Sequence, residues 1–169
     1  MKTNIGLLLT KRAQICPNRE AIVEFERDRR FTFAELNSRA NRMANALLEK
    51  GVVPGDRVAS LLKNSVEFVE TYFAVAKIGA VMVPVNWRLV AAEIAYILEN
   101  SGTKALVYDS DFDDVVNTLQ SEPQGKLAVE QWVRRENGDG GTPDWALDYD
   151  TLAAASATTE PPIGAWDDD

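Results

Sequence analysis

The sequence predicts an α/β domain: layered βαβ units with a largely parallel sheet flanked by helices, plus a hairpin near the N-terminus. Two observations carry this reading. Segments with helical spacing alternate with short β-rich runs in the order β-α-β-α-β-α-β, and that order specifies a parallel sheet. Helix caps, glycines and prolines mark the boundaries, above all in residues 66–89, VEFVETYFAVAKIGAVMVPVNWRL.

Taken in order, residues 4–16 read as a helix with Ile5, Leu8, Leu9 and Ile15 among its apolar positions, ended by Pro17-Asn18. Residues 20–26, EAIVEFE, alternate as a strand does. Residues 27–30 form a charged turn and residues 30–32 return, completing a hairpin. Thr32-Phe33-Ala34-Glu35 is a capping box, in which the hydroxyl and the carboxylate satisfy each other's backbone N–H groups. The helix it starts runs to Lys50 with Leu36, Ala40, Met43, Ala44, Leu47 and Leu48 on one face, and Gly51 closes it. Pro54-Gly55-Asp56 is a turn, and residues 57–62, RVASLL, are a short strand.

Asn64, with Glu67 three residues on, reads as the cap of the next helix. Val66, Val69, Phe73, Ala76 and Ala80 follow the helical rhythm, and Phe68, Tyr72 and Val75 widen the stripe, so this helix is expected to pack on more than one side. Gly79 stops it. Residues 80–83 are too short and too β-rich for a helix and read as an interior strand, ended by Pro84, which has no N–H for the ladder. A helix over residues 91–100 follows, with Ile94, Ile97 and Leu98 inward and Gly102 as its cap. Residues 104–108 form a strand closing in Asp109, residues 111–120 a helix with Phe112, Val115, Val116 and Leu119 inward, and residues 127–133 a strand. The run ENGDGGTPD from Glu136 is a loop. Residues 148–155 are a short helix, and residues 156–169, rich in Pro, Thr and acid, read as a tail or linker.

The chain carries 26 acidic and 18 basic residues, a net charge of −8, which disfavours phosphate backbones and anionic membrane surfaces. No apolar run approaches the roughly 20 residues needed to span a bilayer, and Lys11 and Arg12 stand where a leader peptide would carry small residues. The single cysteine, Cys16, leaves no internal disulfide and fits a reducing cytoplasm. There is no histidine. That excludes a Ser-His-Asp unit, His-bound zinc and a His general base within these residues. The glycines of the 136–144 loop lack the strand-loop-helix setting and the Gly-Lys-Ser/Thr ending of a phosphate cradle. Asp113 and Asp114 are adjacent and do not face one pocket.

Three motifs, in order and at matching spacing, resemble the N-terminal part of the adenylate-forming acyl-CoA synthetases, the superfamily that includes luciferases and peptide-synthetase adenylation domains. They are the T-F-x-E-L helix start at Thr32, the G-V-x-x-G-D-R-V turn at Gly51 and the G-A-x-x-V-P-x-N-x-R-L run at Gly79. The resemblance covers roughly residues 4–155. It implies that residues 1–155 are the N-terminal subdomain of an AMP-binding large domain, and that 156–169 form an acidic tail preceding a phosphate loop outside this sequence. Such a parent activates a carboxylic acid, here a fatty acid, with ATP and Mg2+, then passes the acyl group to CoA. The fragment itself is expected to be catalytically inactive and to hold none of these cofactors tightly. One departure from the family pattern is Val90, where relatives place a Ser or Thr helix cap, a loss worth about 1 kcal/mol.

The resemblance also singles out Arg88. It lies just past a strand's carboxyl end, where open α/β sheets place their ligands, and its fork suits a CoA phosphate. The competing reading is a surface arginine that positions the following helix. Trp87 reads as a packing or groove-lining residue. Two other readings of the whole chain stay open: a stand-alone flavodoxin-like module, which saturable binding of a nucleotide or acyl ligand would mark, and an interaction module. Apolar surface left uncovered on such a fragment implies a homo-oligomer.

Overall fold

The computed structural model describes residues 4–121, 127–138 and 140–163. Its centre is a five-stranded parallel sheet of β3 (Arg57–Leu61), β4 (Val81–Pro84), β5 (Thr103–Asp109), β6 (Gln131–Arg135) and β7 (Leu147–Asp148), in the order β4-β3-β5-β6-β7. A separate antiparallel hairpin pairs β1 (Glu20–Glu24) with β2 (Arg29–Thr32). The helices are α1 (Leu7–Ile15), α2 (Phe33–Glu49), α3 (Val66–Lys77), α4 (Ala91–Ser101), α5 (Asp113–Gln120) and α6 (Tyr149–Ala155).

Successive strand residues point to opposite faces, and both faces here are covered. Val58, Ala105, Val107 and Val133 pack against Met43, Ala44 and Leu47 of α2, Ala74 and Val75 of α3 and Tyr149 of α6. Their neighbours Ala59, Leu61, Leu106 and Tyr108 pack against Ile94 and Leu98 of α4 and Val116 and Leu119 of α5. Burial on both faces is why the strands read as apolar runs rather than alternating ones. A third cluster, Leu9, Leu36, Ala40 and Val66, lies beneath the hairpin, with Ile22 and Phe31 resting on it.

The fold class and the hairpin stand as expected, and so does the capping box: Glu35 N–H donates to Thr32 Oγ1 at 3.3 Å while Thr32 N–H donates to Glu35 Oε2 at 2.8 Å. Several details differ. The strand after Gly79 is not interior but lies at the sheet edge, with Val81 49% exposed. Val81 and Val85 donate towards β3 and its flank, to Asp56 O and Ser60 O, so the alternate residues Met82 and Pro84 face away from the ladder. Pro84 sits where its missing N–H leaves no bond unmade.

The cap of α3 is Ser65, whose Oγ accepts from Phe68 N–H at 3.2 Å, and not Asn64. β1 ends at Glu24 because a 3-10 turn over Phe25–Arg27 leads into left-handed Asp28. The strand expected over residues 127–133 begins only at Gln131, where pairing with β5 begins; the partly buried Leu127 and Val129 pack on the α4–α5 side instead. β7, two residues long, was not anticipated from the sequence.

Gly79 and Gly102 both adopt positive φ after their helices, as expected. At Gly102 a Cβ would also lie 2.7 Å from Arg57 Nη2, because Arg57 wraps over the helix end to donate to Ser101 O and Gly102 O. Residues 156–163, read from composition as a tail, contain no helix or strand but lie along α2 with Ser156 and Pro161 buried. The acidic patch at residues 166–169 lies outside the described residues, as do residues 1–3 and Asp139.

The placement of β4 at the edge has a measurable consequence. Leu47→Ala, deep between helix and sheet, should cost about 2–5 kcal/mol. Val81→Ala on β4 should cost less than about 1 kcal/mol. Urea unfolding midpoints of the two variants test the difference.

Candidate functional site

The carboxyl ends of β3, β4, β5 and β6 deliver four loops to one rim of the sheet. In open parallel α/β sheets this rim is where ligands bind. After β4, Asn86 sets the turn. Its Oδ1 accepts from Arg88 N–H at 3.0 Å and its backbone O accepts from Leu89 N–H at 3.1 Å. This turn holds Trp87 against Phe112, with ring centroids 6.3 Å apart and planes 28° apart. The Arg88 guanidinium lies over the Trp87 ring at 4.2 Å. Across the rim, Lys63 sits 5.9 Å from the Phe112 ring centroid and pairs with Asp111 at 2.7 Å, which holds the Asp111 carboxyl below its usual range. Arg88 is exposed and forms no ion pair among the described residues. Its charge is therefore presented to solvent on an aromatic ledge. Trp87 is a ledge residue, packed on one ring and covered by one guanidinium.

Beneath the rim lies a group of buried charges. Asp109, at the end of β5, is fully buried; it accepts from Lys63 N–H and from Arg135 Nη1, both at 2.8 Å. Arg135 Nη2 lies 2.9 Å from Glu67 Oε2, an ion-pair contact without hydrogen-bond alignment. Glu67 also pairs with Arg29 of the hairpin at 2.9 Å, and Arg29 reaches Glu24. One turn along α3, Glu70 pairs with Arg39 of α2 and accepts from Tyr149 Oη at 3.0 Å. The two glutamates are tuned apart. Burial pushes the Glu67 carboxyl up, but the Arg29 hydrogen bond and the Arg135 charge more than offset it, and the net shift is downward. For Glu70 burial dominates, and Arg39 does not offset it; its carboxyl is raised.

The glycine loop after β6 also has a definite chemistry. Glu136 accepts from the N–H groups of Asn137 and Gly138 and pairs with Arg134, which is itself held by Asp113. Chiefly through the Arg134 hydrogen bond, the Glu136 carboxyl is lowered to about 2. Two of the loop's backbone donors, Asn137 and Gly138 N–H, are thus engaged by this side chain. Among the described residues no group of three or more His, Cys, Asp or Glu side chains could hold a metal ion, and no helix is long and apolar enough to cross a membrane.

Comparison with known proteins gives this arrangement its class. Residues 9–167 match the AMP-binding enzyme family, and the chain belongs to it, as the three motifs implied. The long-chain-fatty-acid–CoA ligase FadD13 of Mycobacterium tuberculosis is 41% identical over 130 residues, covering 77% of this chain and 26% of that protein. The 3-oxocholest-4-en-26-oate–CoA ligase of Rhodococcus rhodochrous is also 41% identical over 130 residues, covering 76% and 23%. Among solved structures, the inhibitor-bound N-terminal domain of FACL13 from Mycobacterium tuberculosis superposes with a TM-score of 0.85 at 36% identity, covering 98% of this chain and 38% of that one. The anthranilate CoA ligase AuaEII in complex with anthranoyl-AMP gives 0.87 at 25% identity, covering 98% and 30%. The chain thus spans about a quarter of the length of the curated relatives it matches, 26% and 23% for these two.

Sequence reasoning picked out Arg88 and Trp87 and missed the buried charges below them. Glu67 and Glu70 stand outside the apolar stripe of α3, on the arc that also carries Thr71 and Lys77, yet both are buried, where an unpaired carboxylate is costly. Their partners come from β6, the hairpin and α2, and no local pattern announces those.

Removing one partner of a buried pair leaves the other charge uncompensated, so Arg135→Met should destabilise by about 3–5 kcal/mol, read by urea titration. The pH dependence follows from the direction of the Glu67 shift. The folded state binds fewer protons at Glu67 than the unfolded state does, so its contribution is complete above the ordinary value of 4.5 and is lost as pH falls through the depressed value. Glu67→Gln should be less stable than the parent at neutral pH and should lose less further stability on acidification below that point, measured by thermal melts across the acid range.

Proposed function

We propose that this chain is the N-terminal portion of an ATP-dependent carboxylic acid–CoA ligase whose substrate is a fatty acid. The observation that carries the reading is the family match over residues 9–167, supported by the 41% identity to the long-chain-fatty-acid–CoA ligase FadD13 and by a superposition covering 98% of the chain on the N-terminal domain of FACL13. In the proposed reaction the acid's carboxylate attacks the α-phosphorus of ATP, forming an acyl-adenylate and releasing pyrophosphate. The CoA thiol, losing its proton, then attacks the acyl carbon and AMP leaves. Both steps place high charge density on phosphate oxygens, which positioned cationic groups and amides stabilise.

Within that reaction the role proposed for these residues is scaffolding, with one ligand contact. Arg88 would meet a phosphate of CoA: it is exposed, without a carboxylate partner among the described residues, and fixed by the Asn86 turn and the Trp87 ring. Among the described residues no group of three or more His, Cys, Asp or Glu could hold a metal ion, and the Asn137 and Gly138 amides after β6 are engaged by Glu136, which supports a reading in which other parts of the parent hold the ATP phosphates and Mg2+. We therefore propose that the 169 residues alone neither adenylate an acid nor form a thioester, and that residues 1–155 are a subdomain followed by a 156–169 segment that leads to the phosphate-binding portion of the parent. Cytoplasmic residence fits the single cysteine and the absence of a spanning helix among the described residues.

Self-association of the chain is the remaining part of the proposal. A cleft of about 530 Å³ between the hairpin and α3 is lined by Ile22, Val23, Phe25, Val66, Phe68 and Val69 together with Glu24, Asn64 and Ser65, and Phe25 is 91% exposed. Apolar surface of this kind drives association.

Three measurements test these statements. ATP–pyrophosphate exchange by the isolated chain should stay at background, and exchange above it would overturn the assignment of inactivity. In the complete enzyme, Arg88→Glu should raise KM for CoA by about tenfold or more, the loss of a charge-assisted hydrogen bond, with KM for ATP unchanged; an unchanged KM for CoA removes Arg88 from the site. Light scattering should give a mass above that of one chain, and a monomer at all concentrations refutes the association.

A further inference from the structure

Residues 156–163 are held in a way that resembles the binding of a peptide more than the packing of a loop. Three asparagines spaced four apart on α2, Asn37, Asn41 and Asn45, present their side-chain amides along one helix face. Asn45 Nδ2 donates to Ala157 O at 2.9 Å and Thr159 O at 3.0 Å. Asn41 Nδ2 donates to Thr158 O at 2.9 Å and to Glu160 Oε1 at 3.2 Å. Asn37 Nδ2 donates to Glu160 Oε1 at 2.7 Å. The segment therefore runs antiparallel to α2, and its backbone carbonyls are read by side chains at helical spacing.

The far end of this ladder is an ionic socket. Lys77 Nζ, with a side chain only 2% exposed, donates to Glu160 Oε2 at 2.6 Å, to Thr10 Oγ1 at 2.6 Å and to Asn37 Oδ1 at 2.9 Å. Thr10 Oγ1 also donates to Glu160 Oε2 at 3.0 Å. One carboxylate thus collects donors from α1, α2 and α3. Glu160 is the carboxylate that neutralises Lys77 among the described residues, and a buried ammonium without one is costly. The rest of the segment adds little apolar burial: residues 157–160, 162 and 163 are exposed, and only Ser156 and Pro161 are buried. A segment held by polar contacts at its surface opens more readily than the core beneath it.

We propose that the face formed by Asn37, Asn41, Asn45 and Lys77 is a binding groove for an extended peptide carrying a glutamate at one fixed position, filled in this chain by its own residues 156–163 and open to the same segment supplied in trans. Lys77 is the selector: it accepts a carboxylate at the anchor and rejects a neutral or cationic side chain there. The asparagines set the register of the backbone and tolerate the side chains between.

The test uses the whole chain carrying Glu160→Lys, which places a like charge against Lys77 and frees the groove, and a labelled peptide of residues 156–163, SATTEPPI. Hydrogen exchange at residues 156–163 should accelerate in the variant, while α2 and α3 exchange as in the parent. The peptide should bind the variant saturably, and the same peptide with glutamine in place of glutamate should bind about tenfold more weakly or worse, the loss expected for one charge-assisted contact. The parent, whose groove is filled, should bind neither at those concentrations. Equal binding of the two peptides, or no binding of either to the variant, overturns the proposal. If Glu160→Lys does not fold, Glu160→Gln serves: it should accelerate exchange in 156–163 alone, and unchanged exchange there overturns the anchoring role of Glu160.

Discussion

The buried guanidinium of Arg135 is the interaction on which the rest of the structure depends. It stands at the end of β6 between two carboxylates, Asp109 of β5 and Glu67 of α3, both almost wholly removed from water. Such a group persists in an apolar interior only if its partners are fixed around it. It therefore ties strand to strand and sheet to helix at the rim where the loops emerge. Through Glu67 and Arg29 the same charges reach the hairpin, which the sheet's own hydrogen bonds do not touch. The hairpin is consequently docked by ions as much as by the apolar contacts of Ile22 and Phe31.

The rim and the long face of α2 solve related problems in different ways. At the rim, two backbone donors after β6, Asn137 and Gly138 N–H, are satisfied by a side chain of the same loop, Glu136. Along α2, backbone acceptors of an extended segment are satisfied by side-chain amides. In both places polar backbone outside helix and sheet finds side-chain partners, and in both a single carboxylate, Glu136 or Glu160, is among them.

Much of this was legible in the residues. The order of elements, the Thr32 capping box, the glycine stops at Gly79 and Gly102 and the two-sided burial of the parallel strands all have local signatures in propensity and spacing. The turn carrying Trp87 and Arg88 was legible only as a resemblance; its shape is set by the Asn86 side chain accepting from Arg88 N–H, a contact that no local spacing announces. What the sequence hid is long-range. Edge or centre for β4 depends on which strand pairs last, and Val81-Met82-Val83 is apolar enough for either. Asn37, Asn41 and Asn45 look like ordinary polar positions of an amphipathic helix until the segment more than a hundred residues away lies on them. Lys77 is buried, and no neighbour in sequence shows it.

The strand order has a consequence for how the chain is made. β3 is flanked first by β4, the next strand in sequence, and its other side stays open until β5 follows α4; β6 and β7 then add outward in turn. A chain leaving the ribosome therefore completes one border of its sheet early, and that border carries Pro84 with no N–H to offer a stray partner. The other border moves outward with each new strand and ends, among the described residues, at the two-residue β7. An unpaired strand edge invites aggregation during synthesis. Here one outer strand, β4, lacks a donor at Pro84, and the other, β7, is only two residues long, so neither offers a long unpaired row.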